Sequence, residues 1–152
     1  MVASSSSAPG GSYGVDTNWY LDTGATDHVT GDLDKLAVRD RYNGDEQVHT
    51  ASGQGMEICH IGHTSLYTPD RPIHLNNILH VHDASKSLVS ASKLVHDNHA
   101  YVEIHPKFFS IKDQDTSTTL LHGRSRGGLY PLSSVSSEAS KHALSANKPS
   151  ST

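Results

Sequence analysis

Between residues 16 and 132 apolar and polar positions alternate in short stretches, the period expected of strands with one covered face. Trp19-Tyr20-Leu21 is a brief apolar run that stops at the turn signal Asp22-Thr23-Gly24. Residues 47–50 and 56–61 flank Ala51-Ser52-Gly53-Gln54-Gly55, which reads as a hairpin with a glycine-containing loop. Residues 63–68 alternate, Pro69-Asp70-Arg71-Pro72 turns the chain, and 73–81 alternate again with Ile73, Leu75, Asn77, Leu79 and Val81 on one face. The spacing predicts one helix, over 87–99, where Leu88, Ala91, Leu94 and Val95 form a stripe. Segments 100–104, 108–112, 118–122 and 128–132 read as further strands. Many short strands with Gly/Pro turns predict a mainly β domain, a small barrel or a sandwich, with one short helix.

The flanks differ. Residues 3–14 are rich in Ser, Gly and Pro and read as a linker, and 133–152 lack any aromatic residue and bury too little to offset ordering entropy. The expected organisation is therefore a flexible linker at 1–15, a folded window at 16–132 and a disordered tail at 133–152, as in a segment cut from a longer polyprotein. The N-terminus has neither the basic nor the apolar region of a secretory signal, and no apolar run is long enough to span a membrane. The net charge of −4 gives no global basic field for nucleic acid, and Arg124-Ser125-Arg126 is too small a basic spot without aromatic interleaving. A single cysteine, Cys59, excludes an internal disulfide and any zinc module built on two cysteines of this chain; it is read as a buried, inert thiol.

The sharpest chemical signal is Leu21-Asp22-Thr23-Gly24-Ala25-Thr26. An apolar strand leads into a glycine turn and presents one carboxylate with a hydroxyl neighbour. Most such tripeptides are ordinary turns. One carboxylate cannot both activate water and protonate a leaving group, whereas two held about 3 Å apart share a proton and can divide the work. With one such motif per chain, this chemistry demands a twofold dimer with Asp22 of each copy at the axis.

The string from Trp19 to Thr30 (WYLDTGATDHVT), together with 47–62, Ile78-Leu79-His80-Val81, Ser87-Leu88-Val89-Ser90 and LLHGRSRGGLYPL at 120–132, resembles the protease segment of copia-type retrotransposon polyproteins, particularly plant ones. The resemblance implies a retropepsin-like closed β-barrel over 16–119, with 120–132 opening the pre-integrase segment and able to pack on the barrel. It implies an aspartic endopeptidase that processes its own Gag-Pol precursor in cytoplasmic virus-like particles, acts as a homodimer and needs no cofactor. Asp22 would be the catalytic aspartate, the Thr23 hydroxyl would brace the two loops across the axis, and Gly24 would permit the turn. Ala25 would line the first subsites, and Ser52, Gly53, Gln54 and Gly55 would form the flap over the peptide. Leu88, Val89 and Ser90 would pack behind the aspartate loop, Ser90 standing where related proteases carry glycine. Neither zinc nor nucleic acid binding is inherited from the neighbouring polyprotein modules.

Twelve histidines invite a metal reading. In a strand His80 and His82 would share a face, whereas His60 and His63 would not, and no spacing supplies four ligands. Surface histidine is the plainer account, as it is for His96 and His99 on the helix, and Tyr101, Phe108 and Phe109 are assigned to the core. The competing functional reading is a non-catalytic barrel module, a structural segment or a decayed copy.

Overall fold

The computed structural model describes residues 18–49, 52–132 and 136–137; the linker expected at 1–15 and nearly all of the expected tail at 133–152 lie outside the described residues. The strands are β1 (Trp19–Asp22), β2 (Val29–Thr30), β3 (Val38–Arg41), β4 (Gln47–His49), β5 (Gly55–Glu57), β6 (His60–Tyr67), β7 (Ile73–His80) and β8 (Ser87–Ser90). Helix α1 (Ala91–Asn98) follows, then β9 (Ala100–Ile104), β10 (Phe108–Asp113), β11 (Thr119–Arg124) and β12 (Ser136–Ser137).

β1 stops at the Asp22 turn, yet its sheet neighbour is β8, far along the chain and parallel, with Asp22 opposite Ser90. β2, which follows β1 in sequence, lies on the other side of β8 and then pairs parallel with β7. The loop from Asp22 to His28 therefore straddles a later strand threaded between its two ends. The sheet continues β1-β8-β2-β7-β6-β12, with β3 also on β6. Two further sheets are β11-β10-β9 and the hairpin β4-β5.

The closed barrel expected from the resemblance is not formed by these pairings. Among the described residues the pairing never returns to β1, whose outer edge is taken by residues 130–132: Leu21 N–H donates to Tyr130 O at 2.9 Å and Leu132 N–H to Trp19 O at 2.8 Å. Side chains, not a continuous ladder, join the two larger sheets. Trp19, Leu21, Leu66, Ile73, Leu75, Val89, Leu94, Phe109, Ile111, Leu120, Leu121 and Leu132 form one buried cluster. Residues 120–132 thus contribute three leucines to the same core as β1. A smaller cluster of Val29, Ile58 and Val81 carries Val48 and Met56 of the hairpin.

Three expectations are corrected. The helix predicted over 87–99 begins only at Ala91. Its first four residues are β8, where Val89 is buried from both sides, and the Ser90 hydroxyl caps α1 by accepting from Lys93 N–H at 3.2 Å. The face predicted from Ile73 to Val81 breaks at Asn77, whose φ of 54° lies in the left-handed region. The β6/β7 register shifts there, so Ile73, Leu75, Ile78 and His80 are buried, and Asn77 and Leu79 are not fully covered. The strand expected at 128–132 is a glycine turn followed by the short edge pairing with β1. β3 left no periodic signal because all four of its residues are exposed.

Candidate active site

β1 is buried at all four positions and carries Asp22 inward to 2% exposure, while Thr23 and Gly24 beside it are exposed. The turn is made by the aspartate itself: Gly24 N–H donates to Asp22 Oδ1 at 2.8 Å, the side chain closing on its own backbone two residues on. One carboxylate oxygen is thereby fixed by a backbone dipole. The Thr23 hydroxyl has no hydrogen bond among the described residues, and Ala25 is half-buried.

The other wall of the loop is Ser90. Its Oγ donates to Ala25 O at 2.8 Å, and its N–H donates to His28 Nδ1 at 3.0 Å. Ser90 therefore ties the loop's middle, the loop's end and the helix N-terminus to one residue. Leu88 faces Val29 across β8/β2, and Val89 is fully buried. A further buried bond, Thr30 Oγ1 to Ser87 Oγ at 2.7 Å, fastens β2 to β8.

His28 is the residue that sequence reasoning passed over. It is completely buried, and because Nδ1 accepts from a backbone N–H, the neutral ring carries its proton on Nε2, which has no partner among the described residues. Burial, reinforced by the Lys93 ammonium, lowers its pKa to about 4. It is thus a neutral spacer holding loop to strand. Nothing in its flanking pattern, Asp27-His28-Val29, marks it as more than a turn residue; only the long-range pairing with β8 does.

The hairpin expected around Ser52–Gly55 is formed. β4 and β5 pair from Gln47↔Glu57 to His49↔Gly55, and Ser52, Gly53 and Gln54 form an exposed tip, residues 50 and 51 lying outside the described residues. Gly53 has φ 90° with open space around it, so only glycine sits there without strain. Among the described residues this hairpin shares no ladder with the main sheet.

The histidines group differently from expectation. His80 meets His60, not His82: their Nδ1 atoms are 3.0 Å apart across β6/β7, so the two rings share one proton. Burial, and next the proximity of His60, lower the His80 pKa. His82 lies beyond the strand and is exposed beside Asp83. No group of three metal-ligating side chains gathers among the described residues. Cys59 is half-buried, not enclosed, and Phe108 lies 43% exposed, outside the core that Phe109 fills.

Residues 19–99, which hold the aspartate loop, the hairpin, β8 and α1, match the family described as Pol polyprotein, beta-barrel domain. The chain belongs to this Pol β-barrel family. Two Arabidopsis thaliana relatives extend the likeness beyond the family's span. The Retrovirus-related Pol polyprotein from transposon RE1 is 40% identical over 121 residues, and that from transposon RE2 is 38% identical over 122, each alignment covering 80% of this chain. The chain spans only 8% of the length of either relative. It is thus similar to one segment of a retrotransposon Pol polyprotein. No solved structure matches it. In this family member the barrel of the name is an open set of sheets closed by side-chain packing.

Proposed function

We propose that this Pol segment is a copia-type aspartic endopeptidase that cuts its own polyprotein precursor as a homodimer. The observation that carries the reading is the Asp22 turn. A carboxylate fixed through one oxygen by the Gly24 amide lies one residue inside an exposed Thr23-Gly24 tip, on a loop braced by Ser90. Brought together by a twofold axis through two such tips, the carboxylates share a proton. The ionised one takes a proton from water, whose oxygen attacks the scissile carbonyl carbon. The protonated one hydrogen-bonds the carbonyl oxygen as it gains charge, and a proton then passes to the departing amide nitrogen. The hairpin with Ser52, Gly53, Gln54 and Gly55 covers the peptide, and Ala25 lines the cleft beside it. No cofactor enters this chemistry.

Incubating the chain with peptides spanning its own polyprotein junctions tests the reading. Cleavage at mildly acid pH, inhibited by a statine-type transition-state mimic and lost in Asp22→Asn, is the expected result. Equal cleavage by Asp22→Asn overturns it.

One observation favours a second reading, a non-catalytic module. Asp22 is only 2% exposed in the single chain, and a side chain that never meets solvent or a partner serves simply to close its turn. A strict monomer in sedimentation at micromolar concentration, with no cleavage, supports that reading.

A further inference from the structure

The tip of the β9-β10-β11 sheet carries a feature that the protease reading does not use. Two tight turns lie side by side there. The β9–β10 turn closes with His105 N–H donating to Phe108 O at 2.8 Å, and the turn after β11 closes with paired bonds of 2.9 Å between Arg126 and Leu129, around Gly127 and Gly128 at φ 54° and 80°. Ser125 N–H donates to Lys107 O at 3.0 Å and holds the turns together. Phe108 and Arg124 are direct cross-strand partners, and His122 and Arg124, two apart on β11, share a face. The result is a cavity of about 550 Å³ lined by Lys107, Phe108, His122, Arg124, Arg126 and Pro131, with no carboxylate in its wall among the described residues.

Three side chains with fixed positive charge thus converge on a chain whose net charge is −4. Among the described residues none of the three is ion-paired. The nearest acid along β9, Glu103, is committed to His105 at 3.3 Å and Lys112 at 3.0 Å. Beside the cations lies an exposed aromatic platform, since Phe108 is stacked on the His105 ring at 4.2 Å and 12°. Sequence alone shows the Arg124-Ser125-Arg126 spot with no aromatic interleaved; strand register supplies Phe108.

We infer that this tip is a binding site for single-stranded nucleic acid, with Lys107, Arg124 and Arg126 on phosphates and a base stacked on Phe108. Cations alone accept any polyanion. The exposed ring next to them is what suits a strand whose unpaired bases offer flat faces, and that pairing of charge with stacking favours nucleic acid over an acidic peptide. The cavity is within the range of about 300–1,000 Å³ typical of sites that enclose a small ligand, enough for a nucleotide. The inference is independent of proteolysis.

Fluorescence anisotropy with a labelled oligouridylate of about ten nucleotides tests it. The full chain is expected to bind with micromolar Kd at low salt, and log Kd should depend on log salt with a slope near 2, from about 0.7 per phosphate contact. Phe108→Ala removes an exposed ring and leaves the core filled, and it should weaken binding about tenfold. Arg124→Ser with Arg126→Ser, or Lys107→Gln on the other turn, should weaken it and flatten the salt slope, and Asp22→Asn should bind as the parent does. Absence of binding by the parent overturns the inference. So does an unchanged Kd for Phe108→Ala with full displacement by polyglutamate of equal charge, which identifies a site for acidic peptide instead.

Discussion

The aspartate loop and the 47–57 hairpin are both short turns between strands, yet they are built oppositely. The loop is fastened along its length: Asp22 closes its own turn, Ser90 grips Ala25 and His28, and Thr30 bonds Ser87 across β8. The hairpin has its own two-stranded ladder and touches the body mainly through Val48 and Met56, its tip standing in open space at Gly53. A fixed floor and a loosely held cover are what a site needs if it must position a carboxylate and still admit a polymer. The bracing is polar and largely buried, so it is sensitive to single-atom changes; the apolar packing of Val48 and Met56 on the small cluster is more forgiving.

The contrast is sharpened most by Asp22→Asn. The amide oxygen can still accept from Gly24 N–H, so the turn and the unfolding midpoint should stay near the parent's, while peptide cleavage falls by on the order of 10³ or more. A large loss of stability in this variant would show that the carboxylate is a structural element first.

Next in size is a pH effect from His28. Its folded pKa of about 4 lies below the ordinary 6.5, so as pH falls the unfolded chain takes up the proton before the folded one does. The stability it contributes is complete above 6.5, declines between 6.5 and 4, and is gone below that, a span on the order of 3 kcal/mol. Urea unfolding across that window should show the decline, and His28→Gln, less stable at pH 7, should flatten it. Ser90→Ala removes the bond to Ala25 and the cap of α1 and should cost about 2 kcal/mol, read as a lower urea midpoint. Gly53→Ala is the small case. Strain at φ 90° should cost about 1 kcal/mol, felt in faster amide exchange at Val48 and Met56 with the global midpoint nearly unmoved.

Local chemistry was legible in the sequence and long-range threading was not. The Asp22 turn, the hairpin at 47–57 and the strand character of β6 and β7 each follow from neighbouring residues, and all were found in place. β8 was hidden because Leu88, Ala91 and Leu94 keep a helical spacing even though Ser87–Ser90 is drawn into a parallel pair with β1. A parallel partner leaves no hairpin signal in sequence. The role of His28 was hidden for the same reason, since its partner Ser90 is 62 positions away. The Asn77 bulge shifted a face that simple alternation had assigned, and Phe108, adjacent to the buried Phe109, was read as core because two apolar neighbours in a strand give no indication of which one points outward. The resemblance identified the retrotransposon polyprotein segment, and its closed barrel gave way to sheets joined by side chains because 130–132 occupy the edge of β1.

Mixing parent chain with Asp22→Asn chain at constant total concentration, and following peptide cleavage as the parent fraction is varied, addresses the central claim most directly. If the reactive unit needs an aspartate from each of two copies, mixed pairs are dead and the rate follows the square of the parent fraction. A rate that rises in simple proportion to that fraction would mean a single chain suffices, and the shared-proton account would be contradicted.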